Sequence, residues 1–192
     1  MRQVHKAGEK LFVDYCGPTV GVTDPETGEI RTAQVIVAVP GHQVTHGQRP
    51  PGLEDWVMSH VRCFQWLGGV PELVVPDNLK SATSRACKYD PDVNPTYQQM
   101  LEHYNVAVLP ARPRKPKDKA KAEVGVQVVE RWIMARIRHE IFYSLASLNQ
   151  RIRELLERLN NKIMQKLGYS RAELFIQLDK PALKPLPEAS YS

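Results

Sequence analysis

Apolar residues follow two different periods along this chain, and the change between them falls near Leu53. Upstream, positions 9 to 16 alternate, with Leu11, Val13 and Tyr15 on one side and Phe12, Asp14 and Cys16 on the other, the pattern of a strand. Asp24-Pro25-Glu26-Thr27-Gly28 is strong turn chemistry. The continuous apolar run from Ala33 to Val39 then predicts the second arm of a hairpin, covered on both faces. The stretch 41–52 holds three glycines and two prolines, has no period, and reads as a loop.

Downstream, Leu53, Trp56, Val57, His60, Val61, Phe64 and Leu67 form a helical stripe that Gly68 and Gly69 end. A short strand over 72–75 delivers Pro76-Asp77-Asn78. Asn94-Pro95 opens a helix reaching about Tyr104, and 106–109 is another buried strand, stopped by Pro110, Pro113 and Pro116. Two longer helices are predicted over 117–138 and 145–159, and a short one over 170–178 that Ser170 and Glu173 open as a capping box. A hairpin followed by strands alternating with helices gives an α/β fold class: a mixed sheet with helices on both faces, followed by C-terminal helices. The expected organisation is an α/β unit over 1–140 with 41–52 as an anomalous segment, a helical extension over 141–180, and a proline-rich tail over 181–192 that packs little.

With 192 residues, 42% of them apolar, the chain can bury roughly 70% of its extended surface, enough for one core. The formal charge of +5 is unevenly placed: from Arg112 to Arg138, nine Lys or Arg face only Asp118, Glu123 and Glu130, a local balance of +6. Such a segment is either a solvated helix face or a phosphate-binding surface. Cys16, Cys63 and Cys87 are odd in number and share no short spacing, so they suggest neither a disulfide framework nor a zinc site and fit a reducing compartment. His42 and His46 have the spacing of helical metal ligands but lie in the Gly- and Pro-rich stretch, where a helix is not expected. No run approaches the roughly 18 apolar residues of a membrane span, and the N-terminus has no signal-peptide core, so a cytoplasmic protein is expected.

Three acids stand where apolar runs give way to polar ones: Asp14, Asp77 after 62 intervening residues, and Glu123 after another 45. In an open α/β sheet, a polar group just past a strand's end points into the cleft where ligands bind. Carboxylates from three separate elements can hold two magnesium or manganese ions about 3.5–4 Å apart, the arrangement used for phosphoryl transfer. Glu130 shares a helix face with Glu123, but seven residues of helix rise about 10 Å, so both cannot serve one ion pair. Glu123 is the better candidate because it lies nearer the helix start and the basic segment. Spacing alone leaves other roles open: Asp14 as a solvated strand-end acid, Asp77 as an N-cap, Glu123 as the i,i+4 partner of Lys119.

The residues around each acid carry a resemblance. Val13-Asp14-Tyr15, Val75-Pro76-Asp77-Asn78-Leu79-Lys80-Ser81, and the stretch from Pro110-Ala111-Arg112-Pro113-Arg114 through Lys119-Ala120-Lys121-Ala122-Glu123 resemble the IstA-type transposases of the insertion-sequence-21 family, and the likeness extends over nearly the whole chain. The resemblance implies the ribonuclease-H-like fold of retroviral integrases and a DDE catalytic domain. By position, Asp14, Asp77 and Glu123 match its first, second and third catalytic acids, with two Mg2+ or Mn2+ ions between them. It further implies cleavage and strand transfer of double-stranded DNA, both transposon ends and target. The agent would be a homo-oligomer assembled on that DNA in the cytoplasm, nucleoid-associated and away from membranes, aided by a AAA+ helper ATPase of the IstB type. Lys80, Arg112, Arg114, Lys115, Lys117, Lys119 and Lys121 then read as contacts to DNA phosphates, which position the backbone without reading bases.

Two departures from the family pattern stand out. A helix-turn-helix region usually precedes the first acid, which here is only 13 residues after Met1, so recognition of element ends is expected to be absent. An apolar, aromatic third strand is also expected where 41–52 lies. These departures keep a second reading in view, a truncated and inactive remnant that binds DNA non-specifically or regulates intact transposase. A host nuclease on the same fold is the third.

Overall fold

The computed structural model describes residues 9–39, 45–46, 53–76, 95–108 and 116–192, and the side chains of all of these except 45–46, 53–55 and 116–122. One mixed sheet organises them, with strand order β3-β2-β1-β4-β5. The strands are β1 (Lys10–Thr23), β2 (Ile30–Val39), β3 (Thr45–His46), β4 (Leu73–Pro76) and β5 (Ala107–Val108). The antiparallel β1–β2 hairpin forms as the turn chemistry predicts: Asp24 Oδ1 accepts the backbone N–H groups of Glu26 and Thr27. β4 adds parallel to β1, and β5 parallel to β4.

The stretch 41–52, a loop by composition, contributes a strand after all. Thr45 and His46 pair with Ala38 and Val37 of β2. Ladder bonds are made by backbone groups, so so short a strand needs no side-chain period to announce it. It borders β2, not β1.

Alternation along the strands sends two sets of side chains to opposite faces. Phe12, Cys16, Val20, Ala33, Val35, Val37 and Val39 belong to one core cluster, and Leu11, Val13, Ile36 and Ala38 to the other. Helices α1 (Leu53–Leu67) and α2 (Pro95–His103) cover the second face through Trp56, Phe64, Tyr97 and Met100. The first face is covered by α3 (Pro116–Val129), which continues through a π turn, Glu130–Met134, into the single turn α4 (Ala135–Ile137), and by α5 (Leu145–Asn161). The expected layers, with helices on both faces, are therefore present. Ser144 caps α5, accepting the Ser147 N–H, and the box opening α6 (Arg171–Leu174) is complete in both directions between Ser170 and Glu173.

The tail packs more than its prolines suggest. Val70 and Lys184 exchange both backbone hydrogen bonds at 2.8 Å, and the Lys184 ammonium donates to the Asn105 carbonyl. Leu183 and Tyr191 join the core on that side, and the Tyr191 N–H donates to the Tyr104 hydroxyl. The approach depends on Gly69, where a Cβ would stand 2.8 Å from Leu183 Cβ.

A second close approach fixes α3. Any Cβ on Gly125 would lie 2.4 Å from Val39 Cγ2, so the helix rests directly on β2. Gly125→Ala is expected to cost about 1–3 kcal/mol, because a β-branched valine beneath the helix has little room to yield. Val39→Ala in the same chain should recover a large part of that loss. Urea denaturation of the single and double variants checks this, and purely additive losses would contradict it.

His60 is enclosed on the buried face of α1. Its Nδ1–H donates to the Trp56 carbonyl (2.8 Å), leaving Nε2 to accept from the Tyr97 hydroxyl at 3.2 Å. Burial pushes its pKa down to about 4, the Trp56 hydrogen bond opposing only weakly. Since the unfolded side chain titrates near 6.5, the unfolded state binds more protons between those values, and stability is lost as pH falls through that window. The loss attributable to His60 should reach ~2 kcal/mol by pH 5, seen as a drop in urea midpoint relative to pH 7.5 that shrinks in His60→Gln.

Candidate active site

Asp14 sits in the central strand at the point where its parallel neighbour stops. β4 pairs with β1 from Lys10 opposite Leu73 to Val13 opposite Pro76, while on the other edge Asp14 itself pairs with Val37. The position is thus one residue beyond the carboxyl end of β4, the kind of place where open α/β sheets bind ligands. Sharing the parity of Phe12 and Cys16, Asp14 faces the α3 side, where it is half-buried. The Tyr15 N–H donates to its Oδ1 at 2.8 Å.

Just past Asp14 the hairpin loses register. Tyr15 pairs with Ile36 and Thr19 with Gln34, so Cys16, Gly17 and Pro18 together oppose Val35. Such a bulge re-aims a strand, and Pro18 cannot donate to a ladder in any case. The Gly17 N–H instead donates to Glu130 Oε1 at 3.3 Å, a link across 113 residues of sequence. Burial, reinforced by the carboxylates of Glu130 and Asp14, pushes the Cys16 thiol up to about 12, so it stays neutral at physiological pH.

Helix α3 meets Val39, near the Phe12 level of the sheet, through Gly125, and the π turn that continues it reaches Gly17 through Glu130, so the rod passes over the stretch of β1 that carries Asp14. Glu123 is exposed just past the middle of α3, two residues before the Gly125 contact. Glu130, seven residues on, is committed to the bulge. The structure therefore brings the elements bearing Asp14 and Glu123 together on one side of the sheet. Asp77, the residue after Pro76, lies outside the described residues, as do Lys80, Arg112, Arg114 and Lys115; Lys117, Lys119 and Lys121 fall on α3, but their side chains are not described. Among the described residues no group of three or more His, Cys, Asp or Glu is placed to hold a metal ion. Among them, too, no helix is long and apolar enough to cross a membrane. Sequence periodicity points to neither the bulge nor Glu130's grip on it; the Gly17-Pro18 pair inside a strand is the one local sign.

No family model matches the chain. Its full length is 50% identical to the provisionally named transposase for insertion sequence IS1162 of Pseudomonas fluorescens, covering 35% of that protein. Over 69% of the chain it is 26% identical to the transposase for insertion sequence element IS21 of Pseudomonas aeruginosa, covering 34% of it. The chain thus spans about a third of the length of these curated relatives. Among solved structures, the catalytic core domain of BIV integrase superposes with a TM-score of 0.60 at 10% identity, over 88% of this chain and 95% of that one. The HTLV-2 integrase catalytic core domain in complex with magnesium does so with a TM-score of 0.55 at 11% identity, over 88% and 96%. At such identities the likeness shows the fold alone, that of the ribonuclease-H-like integrase cores. The chain is homologous over its full length to the IS1162 transposase and over 69% of it to that of IS21, and is built on the integrase catalytic-core fold.

Proposed function

We propose that this chain is the catalytic domain of a transposase, cutting DNA at element ends and joining those ends to a target. The observation that carries the reading is the position of Asp14: a half-buried carboxylate in the central strand, one residue past the end of parallel β4, beneath the helix that carries Glu123. Asp14, Asp77 and Glu123 are the proposed catalytic acids.

The donor set suits a hard divalent cation, since it consists of oxygen donors, carboxylates carried by separate elements. Two magnesium or manganese ions bound by Asp14, Asp77 and Glu123 would supply activation of water or a 3′-hydroxyl and charge stabilisation at the leaving oxygen. The magnesium in the HTLV-2 core supports the use of a divalent metal on this fold. Asp14 contributes a carboxylate oriented by the Tyr15 N–H. Glu130 keeps the adjoining bulge in place without entering the reaction. Lys80, Arg112, Arg114, Lys115, Lys117, Lys119 and Lys121 would neutralise DNA phosphates beside the acids and hold the backbone in line. The proposed substrate is double-stranded DNA, handled by a homo-oligomer in the cytoplasm with a AAA+ ATPase of the IstB type as helper.

Strand transfer of pre-cleaved element ends in magnesium tests the proposal. Asp14→Asn, Asp77→Asn and Glu123→Gln should each lower the rate by ~10³-fold, the several kcal/mol that metal-centred charge stabilisation supplies. Their thermal midpoints should stay close to that of the parent, because each exchange keeps the side chain's size and shape. Activity in Asp14→Asn equal to the parent would remove the catalytic assignment.

A further inference from the structure

A cleft of about 690 Å³ lies away from Asp14, between the π turn and the segment joining α5 to α6. Its lining includes Trp132, Lys162, Met164, Lys166, Leu167 and Arg171, and no acidic residue belongs to it. One wall is a stiff turn: the Met164 N–H donates to the Tyr169 carbonyl (2.9 Å), and the N–H groups of Leu167 and Gly168 donate to the Met164 carbonyl. Though fixed by three backbone bonds, this turn holds Ile163 61% and Leu167 57% exposed. A rigid segment that presents large aliphatic side chains to water has paid its ordering entropy in advance, as a docking element does.

The charges around the cleft are also waiting. Lys162 Nζ stands 3.6 Å from the centroid of the Trp132 ring, with the Arg136 guanidinium 5.4 Å from the same ring. Among the described residues no carboxylate forms an ion pair with Lys166 or Arg171, and burial holds the Arg171 guanidinium below the ordinary arginine value. A partly desolvated cation without an anion is costly, and an incoming carboxylate would relieve it.

We propose that this cleft is a docking site for a protein partner, taking an acidic amphipathic helix whose apolar side chains meet Ile163, Met164 and Leu167 while its carboxylates meet Lys162, Lys166 and Arg171. Charge complementarity requires an acidic occupant. The aliphatic turn selects protein over nucleic acid, because phosphates gain nothing from leucine and isoleucine, and the ring of Trp132 on which a base would stack already carries Lys162. The site is independent of the catalytic reading.

The test uses fluorescence anisotropy with the whole chain. The probe is a labelled peptide of about four helical turns, with leucines at i, i+3, i+4 and i+7 and glutamates between. Its controls are a peptide of the same composition in alternating order, and single-stranded and duplex oligonucleotides. The amphipathic peptide should bind at least ~10-fold more tightly than its control, and Leu167→Asp and Lys166→Glu should each weaken it ~10-fold with circular dichroism unchanged. Equal binding of the two peptides overturns the proposal. So does indifference to both variants, or loss of oligonucleotide rather than peptide binding in Lys166→Glu, which would make the cleft a nucleic-acid surface.

Discussion

Pairing of β1 with β2 along one edge and with β4 along the other fixes the face to which each of its residues points. A slip of one position would carry Asp14 into the layer now filled by Val13 and Leu11, against Trp56 and Phe64, where an ionised carboxylate has no place. Because both faces of the sheet are covered, the alternation is enforced from two sides. The acid can lie partly buried because Leu11 and Val13 hold the strand's register from the opposite face.

The region beyond Asp14 shows how such a position is kept open without disorder. The bulge at Cys16, Gly17 and Pro18 ends regular pairing with β2, and the freed Gly17 N–H is satisfied by Glu130. Cys16 fills the space below, apolar in effect because burial, reinforced by the carboxylates of Glu130 and Asp14, keeps its thiol protonated. Negative charge is thus confined to the carboxylates themselves. Sulfur so placed packs the core as a small hydrophobe.

Much of this was legible in the residues. Leu11, Val13 and Tyr15 against Phe12, Asp14 and Cys16 gave the two faces of β1, the Trp56 to Leu67 stripe gave α1, and Ser170 with Glu173 gave a capping box that both hydrogen bonds complete. What escaped depends on backbone or on distance. β3 is two residues joined to β2 by main-chain bonds. The tail's hold comes from Val70, Asn105 and Tyr104, remote positions that no local period links to Lys184 or Tyr191. The candidate site divides the same way: the residues flanking Asp14 and Glu123, more than their spacing, made them the expected acids, but nothing near Glu130 in sequence marks it as the partner of Gly17.

The π turn at Glu130–Met134 has a consequence for the phase of the long helix. Gly125, Val129, Ile133 and Ile137 all meet the sheet side or the core below it, and they recur every four residues. A regular α-helix turns about 100° per residue, so a four-residue repeat would drift by about 40° at each step and roll off its track within three. The wider π turn takes up part of that drift. It works as a vernier between two registers, letting one continuous rod keep its first half, with Glu123, aligned over β1 while its far end still seats Ile137 against α5.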